Sequence, residues 1–400
     1  TNLYVSSGSA IRKIVIATGE VTTIAGTTYV SGSIDGTGTA ARFRSPGGIT
    51  SDGTSLYITD IANNAIRKLV LSTQAVTSLA GSSEVLYGNT DGIGTAARFN
   101  KPVGVTTDGT NLYVTDMYNN RVRKVVIATG EVTTFAGFSY GYLDDIGTAA
   151  RFKSPYGVTT DGASLFVTEL GSYAIRKIDL ATTEVTTIAG DASTSGTIDG
   201  VGSAARFKRM KGITTDGTNL YTVGWDNKTV RKIVIATGEV TTIAGSPGVT
   251  GHVDGIGSAA RFYSPMSIVF DGTDLYVSEA YSNTIRKVVI ATGEVTTIAG
   301  QHRVYDHTDG VGTAATFYYP EGITTDGTNL YVTQRLGYAI RKINLATLNV
   351  TTIAGVGGSN GSKNGVGTAA RFNGPIGITS DGTSLFIAED TNDSIRKLDP

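Results

Sequence analysis

The residues best placed to do chemistry are acids that precede an arginine at one fixed distance. An Asp or Glu lies seven positions before an arginine in Asp60 and Arg67, Asp116 and Arg123, Glu169 and Arg176, Glu279 and Arg286, and Glu389 and Arg396. If each pair spans a hairpin, this spacing brings a carboxylate and a guanidinium together near the loop. We expect structural ion pairs here, rather than a ring of carboxylates that binds a cation.

Few other residues could bind a metal ion or take part in catalysis. A recurring D-G-x-G segment carries Asp35, Asp91, Asp145, Asp199, Asp254 and Asp309. One carboxylate per segment falls well short of the roughly 6–8 oxygen ligands that calcium takes. The three histidines, His252, His302 and His307, lie in only two segments, and no G-x-S-x-G nucleophile motif occurs. We therefore expect no catalytic residue, no metal site and no cofactor.

The elements that carry these residues repeat along the whole chain. The arginine recurs in steps of 53 to 56 residues, at Arg12, Arg67, Arg123, Arg176, Arg231, Arg286, Arg341 and Arg396. Each unit contains four short runs rich in Val, Ile, Thr and Tyr, which predict β-strands. Asp-Gly-Thr-Asn or Asp-Gly-Thr-Ser joins strands one and two, and Ala-Thr-Gly-Glu joins strands three and four in several units, as in tight turns.

One such unit cannot bury both of its apolar faces alone, so it must stack on its neighbours. The sequence therefore predicts an all-β fold, a β-propeller of four-stranded antiparallel blades. Strands one and four occur seven times and strands two and three eight times, which leaves seven or eight blades open and favours eight. We expect one domain over residues 1–400, with units at 1–26 (partial), 27–81, 82–137, 138–190, 191–245, 246–300, 301–355 and 356–400 (partial).

The best-defined units resemble a known family. Residues 102–124, PVGVTTDGTNLYVTDMYNNRVRK, are similar to NHL repeats, with Asn119 and Asn120 near the Asn-His position that names the family. The resemblance recurs in every unit and implies a propeller fold. It does not imply one function, because NHL propellers include enzymes, RNA binders, sensor domains and docking scaffolds.

Loop variation indicates which face of a propeller would bind a ligand. The turns between strands one and two and between three and four share one face and hardly vary, whereas the loops on the other face differ in every unit. We call this second surface the variable-loop face. The predicted aromatic rim on it consists of Tyr118, Tyr173, Trp225, Tyr281, Tyr338, Tyr140 and Tyr305. Such a rim suits a protein or carbohydrate ligand; alternatively, these side chains fill gaps between blades.

Net charge and amino-acid composition argue against some classes of function. A net charge of −1 argues against nucleic acid as a partner, and no apolar run approaches the ~18 residues needed for membrane insertion. Few charged residues and abundant Gly, Thr, Ser and Ala favour an extracellular or cell-surface location. The prediction is a non-catalytic binding or docking scaffold. The alternatives are a structural protein that self-assembles into a filament or surface layer, and an enzyme with a site at the channel mouth.

Overall fold

The described chain is built from antiparallel sheets joined by short loops. The computed structural model describes residues 2–7, 10–15, 20–27, 30–81, 87–208, 210–361, 367–380, 385–389 and 394–398. Within these residues, six five-stranded sheets follow one another along the chain, and a further six-stranded sheet contains both chain ends. Strand one of each blade lies beside strand one of the next, so these strands surround a central channel.

The first three blades have one common strand order. Strand one pairs with two, two with three, three with four, and a two-residue fifth strand pairs with strand four. Blade one contains, in that order, Pro46–Ser51, Ser55–Asp60, Ala65–Val70, Ala75–Gly81 and Gly36–Thr37. Blade two contains Pro102–Thr107, Asn111–Asp116, Arg121–Val126, Glu131–Ala136 and Gly92–Ile93. Blade three contains Pro155–Thr160, Ser164–Glu169, Ala174–Asp179, Glu184–Gly190 and Asp145–Ile146.

The next three blades repeat this order. Blade four contains Gly212–Thr215, Asn219–Val223, Thr229–Val234, Glu239–Gly245 and Gly200–Val201. Blade five contains Pro265–Phe270, Leu275–Glu279, Thr284–Val288, Glu294–Gly300 and Gly255–Ile256. Blade six contains Pro320–Thr325, Asn329–Gln334, Ala339–Asn344, Asn349–Gly355 and Gly310–Val311.

Single turns of 3-10 helix occupy the links and two of the loops. They span Gly38–Ala40, Ile61–Asn63, Gly94–Ala96, Met117–Asn119, Gly147–Ala149, Gly202–Ala204, Gly257–Ala259, Gly312–Ala314 and Gly367–Ala369. No helix among the described residues is long and apolar enough to span a bilayer.

The predicted blade count and strand number were wrong. In the described residues, the propeller has six blades of five strands each, not seven or eight blades of four. The fifth strand comes from the D-G-x-G link, where Gly92 and Ile93 pair with Val132 and Glu131 of the same blade. Two residues carry no hydrophobic periodicity, and the glycines indicated a turn instead.

The ends of the chain explain the surplus copies of strands two and three. Their six-stranded sheet has the order Glu20–Gly26, Ala10–Val15, Asn2–Ser7, Ser394–Leu398, Leu385–Glu389 and Pro375–Ser380. Ser7 lies opposite Ser394 where the two terminal hairpins meet. Each hairpin has an edge without its usual neighbour, and these edges pair with each other rather than forming blades of their own.

The core lies between blades, as the stacking argument requires. Phe99, in the link before blade two, is fully buried and packs with Tyr57 and Ile66 of blade one and with Leu112 and Val114 of blade two. Equivalent phenylalanines occupy the other links. The large apolar side chain of each link thus joins consecutive sheets and fixes the orientation of the loops at their ends.

Candidate functional site

Each described blade encloses one buried arginine near the variable-loop face. Arg123 follows a register shift between strands three and four, and its side chain is fully buried. The bulge turns the guanidinium inward, where Nη1 donates to Asp116 Oδ2 at 3.0 Å. The same contact measures 3.0 Å in Asp60–Arg67 and Glu169–Arg176 and 2.8 Å in Glu279–Arg286. The side chains of Glu389 and Arg396 lie outside the described part of the structure.

A second carboxylate, which the sequence reasoning missed, completes each arginine site. Asp91 Oδ1 lies 2.7 Å from Arg123 Nη2, and this aspartate also accepts the backbone N–H of Thr134 on strand four. The equivalent aspartates are Asp35, Asp91, Asp144, Asp199, Asp254 and Asp309, at 2.6 to 2.9 Å from their arginines. A constant separation of 32 residues was the signal available in the sequence. In blade three this partner is Asp144, whereas Asp145 lies in the fifth strand.

Blades four and six lack the first carboxylate, but a neutral side chain keeps its hydrogen bond to the link. Asp116 Oδ1 accepts the backbone N–H of Asn100 at 2.7 Å in blade two. In blade six Gln334 Oε1 accepts the equivalent N–H, and in blade four buried Asn227 accepts the N–H of Lys208 at 2.8 Å. Neutral side chains thus hold the same link, which favours a structural over a catalytic role for these positions.

The structure divides the predicted aromatic rim into exposed and packed members. Tyr173 and Tyr338 are partly buried and pack against the clusters between blades. The exposed members are Tyr118, Tyr140, Trp225, Tyr281 and Tyr305. Of these five, Trp225 and Tyr281 come together, with ring centroids 5.5 Å apart.

An open cavity lies beside this aromatic pair, between blades four and five. Its volume is about 260 Å³, and its walls are Trp225, Lys228, Thr250, Tyr263 and Tyr281. We call it the loop-face pocket. Tyr281 extends the aromatic surface towards blade six through an edge-on contact with Tyr319, at 4.9 Å between centroids.

Buried polar residues hold the pocket loops in place. Ser264 Oγ accepts the backbone N–H of Tyr281 at 2.7 Å, and Asn283 Oδ1 accepts that of Tyr319 at 2.8 Å. Both Ser264 and Asn283 are fully buried. Lys228 Nζ donates to the carbonyl oxygen of Tyr263 at 2.5 Å and so joins the two walls. The pocket is therefore formed in advance of any ligand.

Two of the three histidines form a stack that contacts Tyr263, one wall of the pocket. His252 and His302 lie parallel with ring centroids 4.7 Å apart, and His252 Nδ1 is 3.6 Å from Glu279 Oε2. Burial, followed by the proximity of His252, lowers the pKa of His302 below its usual value. His302 also lies edge-on to Tyr263, 5.9 Å between centroids, so the stack supports one pocket wall.

The central channel, unlike the loop-face pocket, is lined mainly by glycine and aliphatic residues. A cavity of about 370 Å³ is bordered mainly by strand-one Gly, Val and Ile residues, including Gly104, Val105, Gly157 and Val158, with Tyr156 and Lys211 at its edge. Among the described residues, no three His, Asp or Glu side chains gather where they would hold a metal ion. Converging aromatic and polar groups therefore distinguish the loop-face pocket from the channel.

Comparisons with known proteins agree with the resemblance to NHL repeats. No family model matches the chain. NHL repeat-containing protein 2 from Homo sapiens is 26% identical over 372 residues, which cover 88% of this chain and 46% of that protein. The chain thus spans less than half the length of this curated relative.

Solved structures with similar folds are more distant in sequence. Virginiamycin B lyase from Staphylococcus aureus superposes with a TM-score of 0.58 at 16% identity, covering 88% of this chain and 94% of the lyase. A Bacteroides thetaiotaomicron protein of unknown function superposes with a TM-score of 0.54 at 20% identity, and the match covers 99% of this chain and 97% of that protein. Such identities establish the fold alone.

An NHL propeller fold suggests a scaffold for protein interactions. Its rigid blades hold loops of different sequence on one face, which is an arrangement suited to binding. The recurring repeat segments, the radial sheets and the curated relatives together support an NHL-repeat β-propeller.

Proposed function

We propose that this propeller is a binding scaffold for a protein partner and that the partner docks on the variable-loop face of blades four to six. The observation that carries the proposal is the loop-face pocket, where Trp225, Tyr263 and Tyr281 surround an open cavity. Partly exposed Trp and Tyr side chains on rigid supports are the residues that most often dominate protein interfaces. A location outside the cell, expected from the composition, belongs to this proposal and stays a prediction.

The opposite face is less suited to selective binding. Its turns repeat from blade to blade and satisfy their own polar groups: Asp108 accepts the N–H groups of Thr110 and Asn111 and the hydroxyl of Tyr113. Although burial acts in the opposite direction, the hydrogen bonds from Asn111, Thr110 and Tyr113 lower the pKa of Asp108 to about 2. Groups that are already hydrogen-bonded gain little from a partner.

Affinity capture with variants of both faces tests this proposal. The full chain is immobilised as the wild type, as Trp225→Ala with Tyr281→Ala, and as Thr110→Ala with Asn111→Ala on the turn face. We expect the pocket variant to lose the proteins that the wild type retains, because truncation of an interface aromatic costs about 2 kcal/mol or more. The turn-face variant should retain them. The reverse pattern would contradict the proposal.

A further inference from the structure

Three cations lie against the aromatic rings of the loop-face pocket: Lys228 is part of the pocket wall, and Lys211 and Arg303 contact the wall residues Trp225 and Tyr263. Lys211 Nζ lies 5.5 Å from the centroid of Trp225. Lys228 Nζ and the Arg303 guanidinium lie 5.9 and 5.0 Å from the centroid of Tyr263. Arg303 also donates to the Tyr263 hydroxyl at 3.1 Å. The rings restrict the cations and so reduce the entropy that they would lose on binding an anion.

The charges of these three cations are not matched by close acids. Among the described residues, no carboxylate oxygen lies within 4.0 Å of the side-chain nitrogens of Lys211, Lys228 or Arg303. Of the two acids that act on Lys228 from a distance, Asp226 and Glu279, the second is buried and already pairs with Arg286 at 2.8 Å. The buried repeat arginines differ, because a link aspartate contacts each one in blades one to six.

Lys228 shows why an anion would be favourable here. Burial lowers the pKa of its ammonium group, and the attraction of Asp226 and Glu279 acts in the opposite direction. A charge that has lost part of its hydration without gaining a close counter-ion interacts strongly with an incoming carboxylate. Asp226 borders a neighbouring cavity with Lys211 and Trp225, and it limits how far a negative ligand extends on that side.

The arrangement of the rings indicates which kind of anion fits. Trp225 already contacts Lys211 and Tyr281, and Tyr263 already contacts Lys228 and Arg303. Trp225 and Tyr263 therefore already hold cations, and a nucleic acid base or a sugar ring would compete with these cations for stacking on the two rings. The near-neutral whole chain, with a net charge of −1, also lacks the basic excess that attracts long polyanions.

We propose that Lys211, Lys228 and Arg303 bind an acidic, extended peptide segment whose Asp and Glu carboxylates contact these cations across the loop-face pocket. This inference rests on the proposed function and specifies the chemistry of the partner. Carboxylates reach the cations in turn, while the apolar parts of the segment lie against Trp225 and Tyr281. Binding is electrostatic in part, so it weakens as the salt concentration rises.

Fluorescence anisotropy with a short labelled peptide of alternating Glu and Ser tests the inference on the full chain. We expect Lys211→Gln and Arg303→Gln each to weaken binding by about threefold to tenfold, and the double variant to weaken it further. Lys68→Gln is the matched control, because Lys68 also faces an aromatic ring, Tyr57 at 5.8 Å, but lies on strand three of blade one. Its affinity should equal that of the wild type.

Equal affinity of Lys211→Gln, Arg303→Gln and the wild type would overturn the inference. Tighter binding of an oligonucleotide or an acidic oligosaccharide of equal charge would also overturn it and assign the pocket to another polyanion. If the peptide fails to bind while the Trp225→Ala and Tyr281→Ala variant still loses captured proteins, the acidic-segment inference fails and the proposed function stands. If neither assay responds, both fail.

Discussion

At the scale of the residue, the buried arginine of each repeat binds acids at two fixed distances along the sequence. Arg123 holds Asp116, seven positions earlier, and Asp91, 32 positions earlier. The first contact was predictable, because it lies within a single hairpin whose length the sequence shows. The second crosses from a link to strand three, and hairpin periodicity contains no information on such a distance.

These two aspartates are expected to contribute unequally to stability. Asp116 is fully buried, so Asp116→Ala leaves the buried Arg123 with only the half-exposed Asp91 as a charge partner, removes the acceptor of the Asn100 N–H, and should cost about 3–5 kcal/mol. Asp91 has a side chain that is 47% exposed, and water replaces much of its interaction, so Asp91→Ala should cost about 1 kcal/mol. Chemical denaturation measures both losses. A larger loss for Asp91→Ala would contradict the account of the arginine site.

The histidine stack predicts a dependence of stability on pH. Because the folded protein holds the pKa of His302 below its ordinary value of 6.5, the unfolded chain binds the proton more readily. Folding stability should therefore fall as the pH drops below about 6.5, where the unfolded chain becomes protonated first. In His302→Asn this part of the slope should disappear in denaturation curves between pH 7 and 5. An unchanged slope would show that His302 does not contribute.

At the scale of the element, the sequence predicts the long strands but not the shortest one. Strands such as Asn111–Asp116 carry β-branched and aromatic residues over six positions and end at recognisable turns. Gly92–Ile93 becomes a strand only because it lies beside Glu131 and Val132, which is a tertiary contact. Because this contact is not visible in the sequence, the blade was expected to have four strands.

Alanine substitutions at two glycines of blade two measure how tightly the end of strand four packs against its neighbours. Gly109 and Gly137 share a φ of +91°, but a Cβ at Gly109 meets nothing within 4 Å. At Gly137 it would lie 2.7 Å from the Phe152 ring and 2.6 Å from the Asn120 carbonyl oxygen. Gly109→Ala should cost about 1 kcal/mol of backbone strain, and Gly137→Ala about 1–3 kcal/mol more from the clash.

Denaturant midpoints of these two variants give the comparison directly. Both substitutions impose the same backbone strain, so the difference between them reports the close packing of Gly137 against Phe152 and the Asn120 carbonyl oxygen. If the two variants unfold at the same denaturant concentration, Gly137 does not pack against Phe152 and the Asn120 carbonyl oxygen as tightly as described.

At the scale of the whole molecule, closure of the ring brings distant segments together. Trp225, Tyr263 and Tyr281 line one pocket although they come from two loops and a link of different units. The sequence analysis named Trp225 and Tyr281 as members of the aromatic rim, but it missed Tyr263 and the cations that lie against these rings. Their convergence depends on the angle between blades, which no local pattern encodes.

The shared sheet at the chain ends offers a direct test of closure. Ser7 and Ser394 lie opposite each other on antiparallel strands, and the chain contains no cysteine. Opposite Cα atoms on such strands are about 4.5–5.5 Å apart, which is within the range that a disulfide bridges. We expect Ser7→Cys with Ser394→Cys to form a disulfide under mild oxidation, visible as a faster-migrating band without reductant. Ser164→Cys with Ser394→Cys is the control and should stay reduced. Equal cross-linking of both pairs would contradict the described pairing.

The central claim is that partners bind where the variable loops of blades four to six converge. Site-specific photo-cross-linking tests it most directly: a photo-reactive phenylalanine analogue replaces Tyr281 in one sample and Thr110, on the turn face, in another. We predict covalent partner adducts from position 281 and none from position 110. Adducts that form from position 110 alone would place the binding surface on the opposite face and contradict the claim.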